Sequence, residues 1–296
     1  MEPTVAGIRI SHPERLIFPE LGMRKIDLAT LYGAIAKWVV PHVAGRPLTL
    51  VHCPQGLGGP CSYMRHTRVW GPAALRRVNI RERTKTGEYL VADDEQGVVA
   101  LIQMGVVEFH TWNVLTDDIE RPNRLVWDLD PGDAVEWRDV VEAARALRAV
   151  LQTLGLESWV KTTGGRGLHI VAPTVRHRDW SECLTFSRAV ADALVRHAPS
   201  TYTTTFAKQG RESKILIDYL RNNRTNTSIS AFSPRARPGA QVSMPIDWDD
   251  LDTPPERWTL TTVPKRLRRI RTDPWREYWT SAQTISKASF EAIQTL

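Results

Sequence analysis

Cysteine is scarce in this 296-residue chain, and Cys53, Cys61 and Cys183 are too few and too scattered for a disulfide framework. His52 and His66 lie close to the first two, but the spacing matches no tight paired-ligand zinc pattern. No apolar run approaches the ~20 residues of a membrane span, and the N-terminus carries no basic-then-apolar leader pattern. No membrane association is expected, and the expected location is cytoplasmic. The glycine-rich stretch from Pro54 to Pro60 lacks a Lys-Ser/Thr ending, which excludes a P-loop.

The remaining composition is that of an ordinary globular protein, with 42% hydrophobic and 24% charged residues and enough chain for one large or two modest domains. Lys and Arg number 39 against 33 acids, a net charge of +6. The excess is clustered at Arg76, Arg77, Arg81, Arg83 and Lys85, and again at Lys265, Arg266, Arg268, Arg269 and Arg271. Such clusters suit a polyanion, nucleic acid first, although solvated faces carry them too.

The most informative stretch is RLVWDLDPGD, Arg124 to Asp133. Side chains alternate along a strand, so Leu125, Trp127 and Leu129 share one face while Val126, Asp128 and Asp130 share the other. Two carboxylates so close on a partly buried surface repel unless a cation lies between them, and a divalent metal is the obvious cation. A solvated strand end is the plain alternative for any Asp-x-Asp.

Beyond Asp133 the pattern becomes regular. A helix is expected from about Val135 to Leu154, a strand over Ser158 to Lys161, a strand over Leu168 to Ala172, a helix from Trp180 to His197 capped by Asp179, and a strand over Lys214 to Leu220 carrying Asp218. That order is β-α-β-β-α-β, a ferredoxin/RRM-like core within an α+β protein. With the first strand between the third and fourth, Asp128, Asp130, His169 and Asp218 converge on one patch. The turn KTTGGRGLH, with Lys161, Thr163, Gly164, Gly165, Arg166 and His169, then reads as a triphosphate cradle, since glycines let backbone N–H groups approach an anion.

Residues 1–118 read as a mixed α/β N-terminal lobe, and 119–296 as the catalytic core with a wrapping C-terminal tail. In the lobe, Asp27 can cap one helix through Leu28, Leu31, Ile35 and Val39 that ends before Pro41. Short β-rich runs lie beyond it at Leu48 to His52, Tyr89 to Val91 and Val98 to Met104. His110 is ambiguous, with a buried structural imidazole as the default. Arg235 and Arg237, between Pro234 and Pro238, sit on a stiffened loop able to present guanidinium groups to phosphate. Trp248, Trp258, Trp275 and Trp279 are the expected packing anchors of the tail.

In combination, VWDLDPGD, KTTGGRGLH, LIDYLRN and AFSPRARPGA resemble the polymerase domain of bacterial ligase D, in the archaeo-eukaryotic primase superfamily, over nearly the whole chain. With neither ligase nor nuclease region present, the chain resembles a stand-alone polymerase or an excised domain. The resemblance implies a template-directed nucleotidyltransferase that fills gaps and extends ends in non-homologous end joining, often with ribonucleotides and manganese. It implies Asp128, Asp130 and Asp218 as catalytic acids holding two Mn or Mg ions, and Thr163, Gly164, Gly165, Lys161, His169, His110 and Arg235 around the incoming NTP or dNTP. Arg15 and Lys25 would take the downstream 5'-phosphate, and Tyr63 would stack near the template. Thr163 stands where the family usually has Ser, and Ser62-Tyr63 where many relatives have two aromatics. Expected partners are DNA with gaps or double-strand ends, Ku and a separate ATP-dependent ligase, with a nucleoid-associated location. The rival readings are an Asp-x-Asp phosphatase and a non-catalytic DNA-end binding module.

Overall fold

Lys25 to Val43 forms two helices rather than one: α1, Lys25–Ala34, and α2, Ala36–Val43. Asp27 is the third residue of α1, not its cap, and its carboxylate accepts from the Arg24 backbone N–H and guanidinium. Pro41 sits inside α2. The structure, a computed structural model, describes residues 2–67 and 72–296.

The chain forms two units, each discontinuous. The first takes residues up to Asp117 together with Thr227–Met244 and Glu256–Ile270; the second takes Asp118–Asn226, Pro245–Pro255 and Arg271–Leu296. In the first, strands β1 (Leu48–His52), β2 (Ser62–Met64), β3 (Arg76–Arg81), β4 (Thr86–Val91) and β5 (Val106–Thr111) are all antiparallel to their neighbours. The expected strand at Val98 to Met104 lies largely in helix α3, Glu95–Gln103. Short apolar runs do not by themselves distinguish a strand from a buried helix. Here the decisive group is Asp94, whose side chain accepts from the Gly97 N–H and caps the helix. Cys53 and Cys61 are joined in a disulfide that closes the glycine-rich loop, a local bond that the scattered spacing did not suggest.

The second unit runs β6 (Arg124–Pro131), α4 (Trp137–Thr153), β7 (Trp159–Thr162), β8 (Leu168–Pro173), α5 (Trp180–His197), β9 (Tyr202–Thr203) and β10 (Ile215–Asp218). Asp179 caps α5 as expected, and with Glu182 it forms a capping box worth about 1 kcal/mol. Two later strands part company: β11 (Ser228–Ile229) pairs with β5 in the first unit, while β12 (Pro245–Ile246) pairs with β7 in the second. The second sheet has the order β9-β10-β6-β8-β7-β12, so β6 lies between β8 and β10 as a β-α-β-β-α-β core requires.

Alternation along β6 sorts its side chains. Trp127 is fully buried on one face and donates its indole N–H to the Ser187 carbonyl of α5. On the other face Val126, Val171 and Trp159 form a cross-strand apolar row covered by Trp275 and Tyr278. Burying an aromatic in this way stabilises by roughly 2–3 kcal/mol. Trp248 also anchors the second unit, donating to the Ser158 carbonyl. Trp258 is buried in the first unit beneath Arg266, whereas Trp279 stays 40% exposed and is no packing anchor.

Candidate functional site

Two residues beyond the apolar row, the same face of the second sheet changes character. Lys161 pairs with His169, His169 with Asp128, and Asp128 with Asp218, so four polar side chains stand in one line across β7, β8, β6 and β10. Directly opposed residues in antiparallel strands share a face, so register alone brings them together. Asp130, two residues on from Asp128, lies on that face opposite Leu216.

The start of β6 is held in place by a side chain from the segment after β10. Asn222 accepts from the Val126 N–H at 2.8 Å and donates to the Val126 carbonyl at 2.7 Å, replacing strand pairing where β10 has ended. Gly132 permits the chain at Arg211 and Glu212 to close against the turn after β6, since a Cβ there would fall 2.1 Å from the Arg211 carbonyl oxygen.

Arginines neutralise the acids. Arg221 Nη2 lies 3.0 Å from Asp128 and 2.9 Å from Asp218, and Arg211 Nη2 lies 2.9 Å from Asp130. Among the described residues no three His, Cys, Asp or Glu side chains form a ready ligand set. The donor chemistry nevertheless fits a hard divalent cation. Burial pushes the Asp218 carboxyl up to about 6 against the pull of Arg221, with Asp128 and Asp130 adding repulsion. Burial would also raise Asp128, but His169, Arg221 and Lys161 hold it below the usual carboxylate range. Burial, helped by Lys161, lowers His169 to about 4, so its imidazole is neutral near pH 7. Its Nε2 lies 3.4 Å from Asp128, and its Nδ1, inside a side chain only 2% exposed, has no hydrogen-bond partner among the described residues.

The turn between β7 and β8 is held close to β6. Thr163 donates its hydroxyl to the Gly167 carbonyl at 3.1 Å and accepts from the Gly165 N–H at 3.2 Å. Gly164 adopts φ +66°, a conformation that favours glycine. Arg166 is engaged by the Val135 carbonyl at 2.7 Å and by Asp133, which ties the turn to the loop after β6.

The other candidates lie in the first unit. His110 Nε2 and Arg235 Nε meet at Glu108, 2.9 and 3.2 Å from its two carboxylate oxygens. Tyr63, 58% exposed, stands edge-on to His110 with ring centroids 5.8 Å apart. Arg15 and Lys25 are also brought together: the Lys25 N–H donates to the Arg15 carbonyl, Lys25 Nζ donates to Ser11 O, and Arg15 reaches the Pro54 carbonyl. Burial, with Arg15 adding repulsion, lowers the Lys25 ammonium to about 8. Of the basic clusters, Arg76 is paired with Asp93 and Arg77 with Glu88, while Lys265, Arg268 and Arg269 are exposed.

Three residues of these sites, Glu108, Arg211 and Arg221, are not among those the sequence singled out. Arg221 had a signal, a basic residue three positions after Asp218. Arg211 had none, because its partner Asp130 is 81 residues away.

Comparison with known proteins gives the family. The family model described as LigD, primase-polymerase domain, matches residues 24–275. The multifunctional non-homologous end joining protein LigD of Pseudomonas aeruginosa is 35% identical over 286 residues, 96% of this chain and 34% of that protein. Its namesake from Mycolicibacterium smegmatis is 30% identical over 249 residues, 83% of this chain and 33% of that protein. The chain thus spans about a third of the length of these curated relatives. The solved polymerase domain from Mycobacterium tuberculosis ligase D, in complex with DNA, is 27% identical with a TM-score of 0.86, covering 93% of this chain and 99% of that one. The chain belongs to the LigD primase-polymerase domain family, a family of nucleotidyltransferases.

Proposed function

We propose that the chain adds nucleotides to a primer 3' end at gaps and broken ends of DNA, directed by a template strand. The observation that carries this reading is the line of Lys161, His169, Asp128 and Asp218 across four strands, with Asp130 beside it. Three carboxylates gathered on one sheet face, two of them sharing a single guanidinium, form a site that demands positive charge.

Asp128, Asp130 and Asp218 would hold two divalent ions, with oxygen-only ligands favouring Mg or Mn over zinc. Bound there, such ions would acidify the primer hydroxyl and neutralise the triphosphate and departing pyrophosphate. His169, neutral and buried, keeps Asp128 oriented through its Nε2–H and would stand beside the incoming nucleotide. The turn through Thr163, Gly164 and Gly165 would lie against the triphosphate, the threonine hydroxyl standing where the family usually has serine. His110 and Arg235 would contact the incoming nucleotide, Tyr63 the template, and Arg15 with Lys25 the downstream 5'-phosphate.

A role in non-homologous end joining, with Ku and a separate ATP-dependent ligase as partners, is the wider form of the proposal. Its support is that the relatives bear that name and that the related polymerase domain was solved with DNA. Extension of a primer across a short gap in Mn, comparing ribo- with deoxyribonucleotides, tests the reading. Release of inorganic phosphate without pyrophosphate would instead support a phosphatase.

A further inference from the structure

Glu108 lies on β5 two residues before His110, so their side chains leave the same face of the strand. The residue is 6% exposed. One carboxylate oxygen, Oε2, accepts from His110 Nε2 at 2.9 Å; the other accepts from Arg235 Nε at 3.2 Å and from the Ala236 backbone N–H at 2.6 Å. The loop carrying Arg235 is tied to the same strand, since the Phe109 N–H donates to Ser233 Oγ and the Ser230 N–H donates to the Phe109 carbonyl. Burial would raise the Glu108 carboxyl, but His110, Arg235 and the Ala236 N–H together hold it below the usual range.

We infer that Glu108 is a positioning residue for nucleotide binding, acting through His110 and Arg235; this rests on the reading that these two contact the incoming nucleotide. A buried carboxylate accepting from Nε2 fixes which imidazole nitrogen carries the hydrogen. Holding Arg235 by Nε sets the guanidinium plane before a triphosphate arrives, and pre-organisation of this kind lowers the ordering cost of binding. The negative charge also offsets the cost of holding a guanidinium half-buried. Glu108 itself touches no reacting atom.

The isosteric variant Glu108→Gln tests this. Its amide oxygen can still accept from the Ala236 and Arg235 N–H groups, which directs the NH2 at His110 Nε2 and removes the charge. The KM for a ribonucleoside triphosphate is expected to rise about tenfold while kcat changes less than about threefold, an effect on ground-state binding. In the nucleotide-free protein, nitrogen NMR of His110 is expected to show the hydrogen moving from Nε2 to Nδ1. In an Arg235→Ala or a His110→Ala background the effect of Glu108→Gln on KM is expected to shrink, and with both side chains removed to add less than about twofold, because residues acting as one unit are not additive.

An unchanged KM in Glu108→Gln overturns the inference alone, provided Arg235→Ala or His110→Ala raises it. If neither single variant raises KM, the reading of those two as nucleotide contacts fails and the inference falls with it. A KM rise that persists undiminished in both backgrounds places the action of Glu108 elsewhere. Glu108→Ala, which also strands the Ala236 N–H, is compared by thermal melting, and Glu108→Gln decides if that variant does not fold.

Discussion

Asp128 and Asp218 are opposed residues on adjacent antiparallel strands, and one guanidinium nitrogen of Arg221 lies within 3.0 Å of both. The pair is thus built to be bridged by a cation, and a protein group supplies the charge. Removing that group exposes what the acids require.

Arg221→Ala is expected to destabilise the metal-free protein by about 2 kcal/mol, less than the ~3–5 kcal/mol of a fully buried broken pair because the guanidinium is 35% exposed. Millimolar Mn should restore more of the loss than it adds to the wild type. Urea unfolding with and without Mn measures both.

Gly167 approaches β6 so closely that a Cβ would lie 2.3 Å from the Leu129 carbonyl oxygen. Gly167→Ala must push the turn away from the strand, at a cost of about 1–3 kcal/mol in stability. Because the same turn carries Thr163 and Gly165, nucleotide affinity should fall as well. Gly155, with open space around it but φ +74°, serves as a comparison in which strain acts without collision. Gly155→Ala should destabilise while leaving nucleotide binding intact. Denaturation paired with nucleotide titration separates the two.

Lys25 sets a pH window. Its folded pKa is lowered from 10.5 to about 8. The ammonium is therefore disfavoured in the folded chain, and this group makes stability rise with pH between about 8 and 10.5, where the unfolded chain holds more protons. The 5'-phosphate binding proposed for Lys25 would run the other way, because it would need the charged form. The preference for gapped DNA with a downstream 5'-phosphate over 5'-hydroxyl should fall as pH rises from about 7 to about 9, through the folded pKa. Lys25→Ala should abolish both the preference and its pH dependence, as read by fluorescence anisotropy.

Tyr63 offers an exposed ring, with its hydroxyl 3.2 Å from Thr227 Oγ1. Tyr63→Ala should weaken binding to a gapped template by about 1–3 kcal/mol, the usual range for lost base stacking. Tyr63→Phe should be nearly neutral, since it keeps the ring that would stack and loses a single hydroxyl bond. Affinities for the two variants on one substrate decide it.

The core was legible in the sequence because each of its elements carried a local signal: alternation in RLVWDLD, the Asp179 and Glu182 box, the glycine turn, and the apolar face of α4. Register then followed from strand order, which brought His169 and Asp218 beside Asp128. What failed had either one faint local signal or contacts distant in sequence. Val98 to Ile102 is buried on every side, so its pattern has no period to read, and only the cap at Asp94 marks a helix. The return of Ser228–Ile229 to β5 has no signature in a two-residue strand. Glu108 carried no signal of its own, because the arginine that shares its carboxylate, Arg235, stands 127 residues later.

Primer extension by Asp218→Asn across a short gap, set beside its affinity for the same DNA, tests the central claim most directly, since the change keeps size and removes charge from the acid that register places against Asp128. The account predicts that nucleotide addition falls by about a thousandfold or more, some ~4 kcal/mol in the barrier, with DNA affinity altered less than about threefold. Extension within about tenfold of the wild-type rate would contradict it.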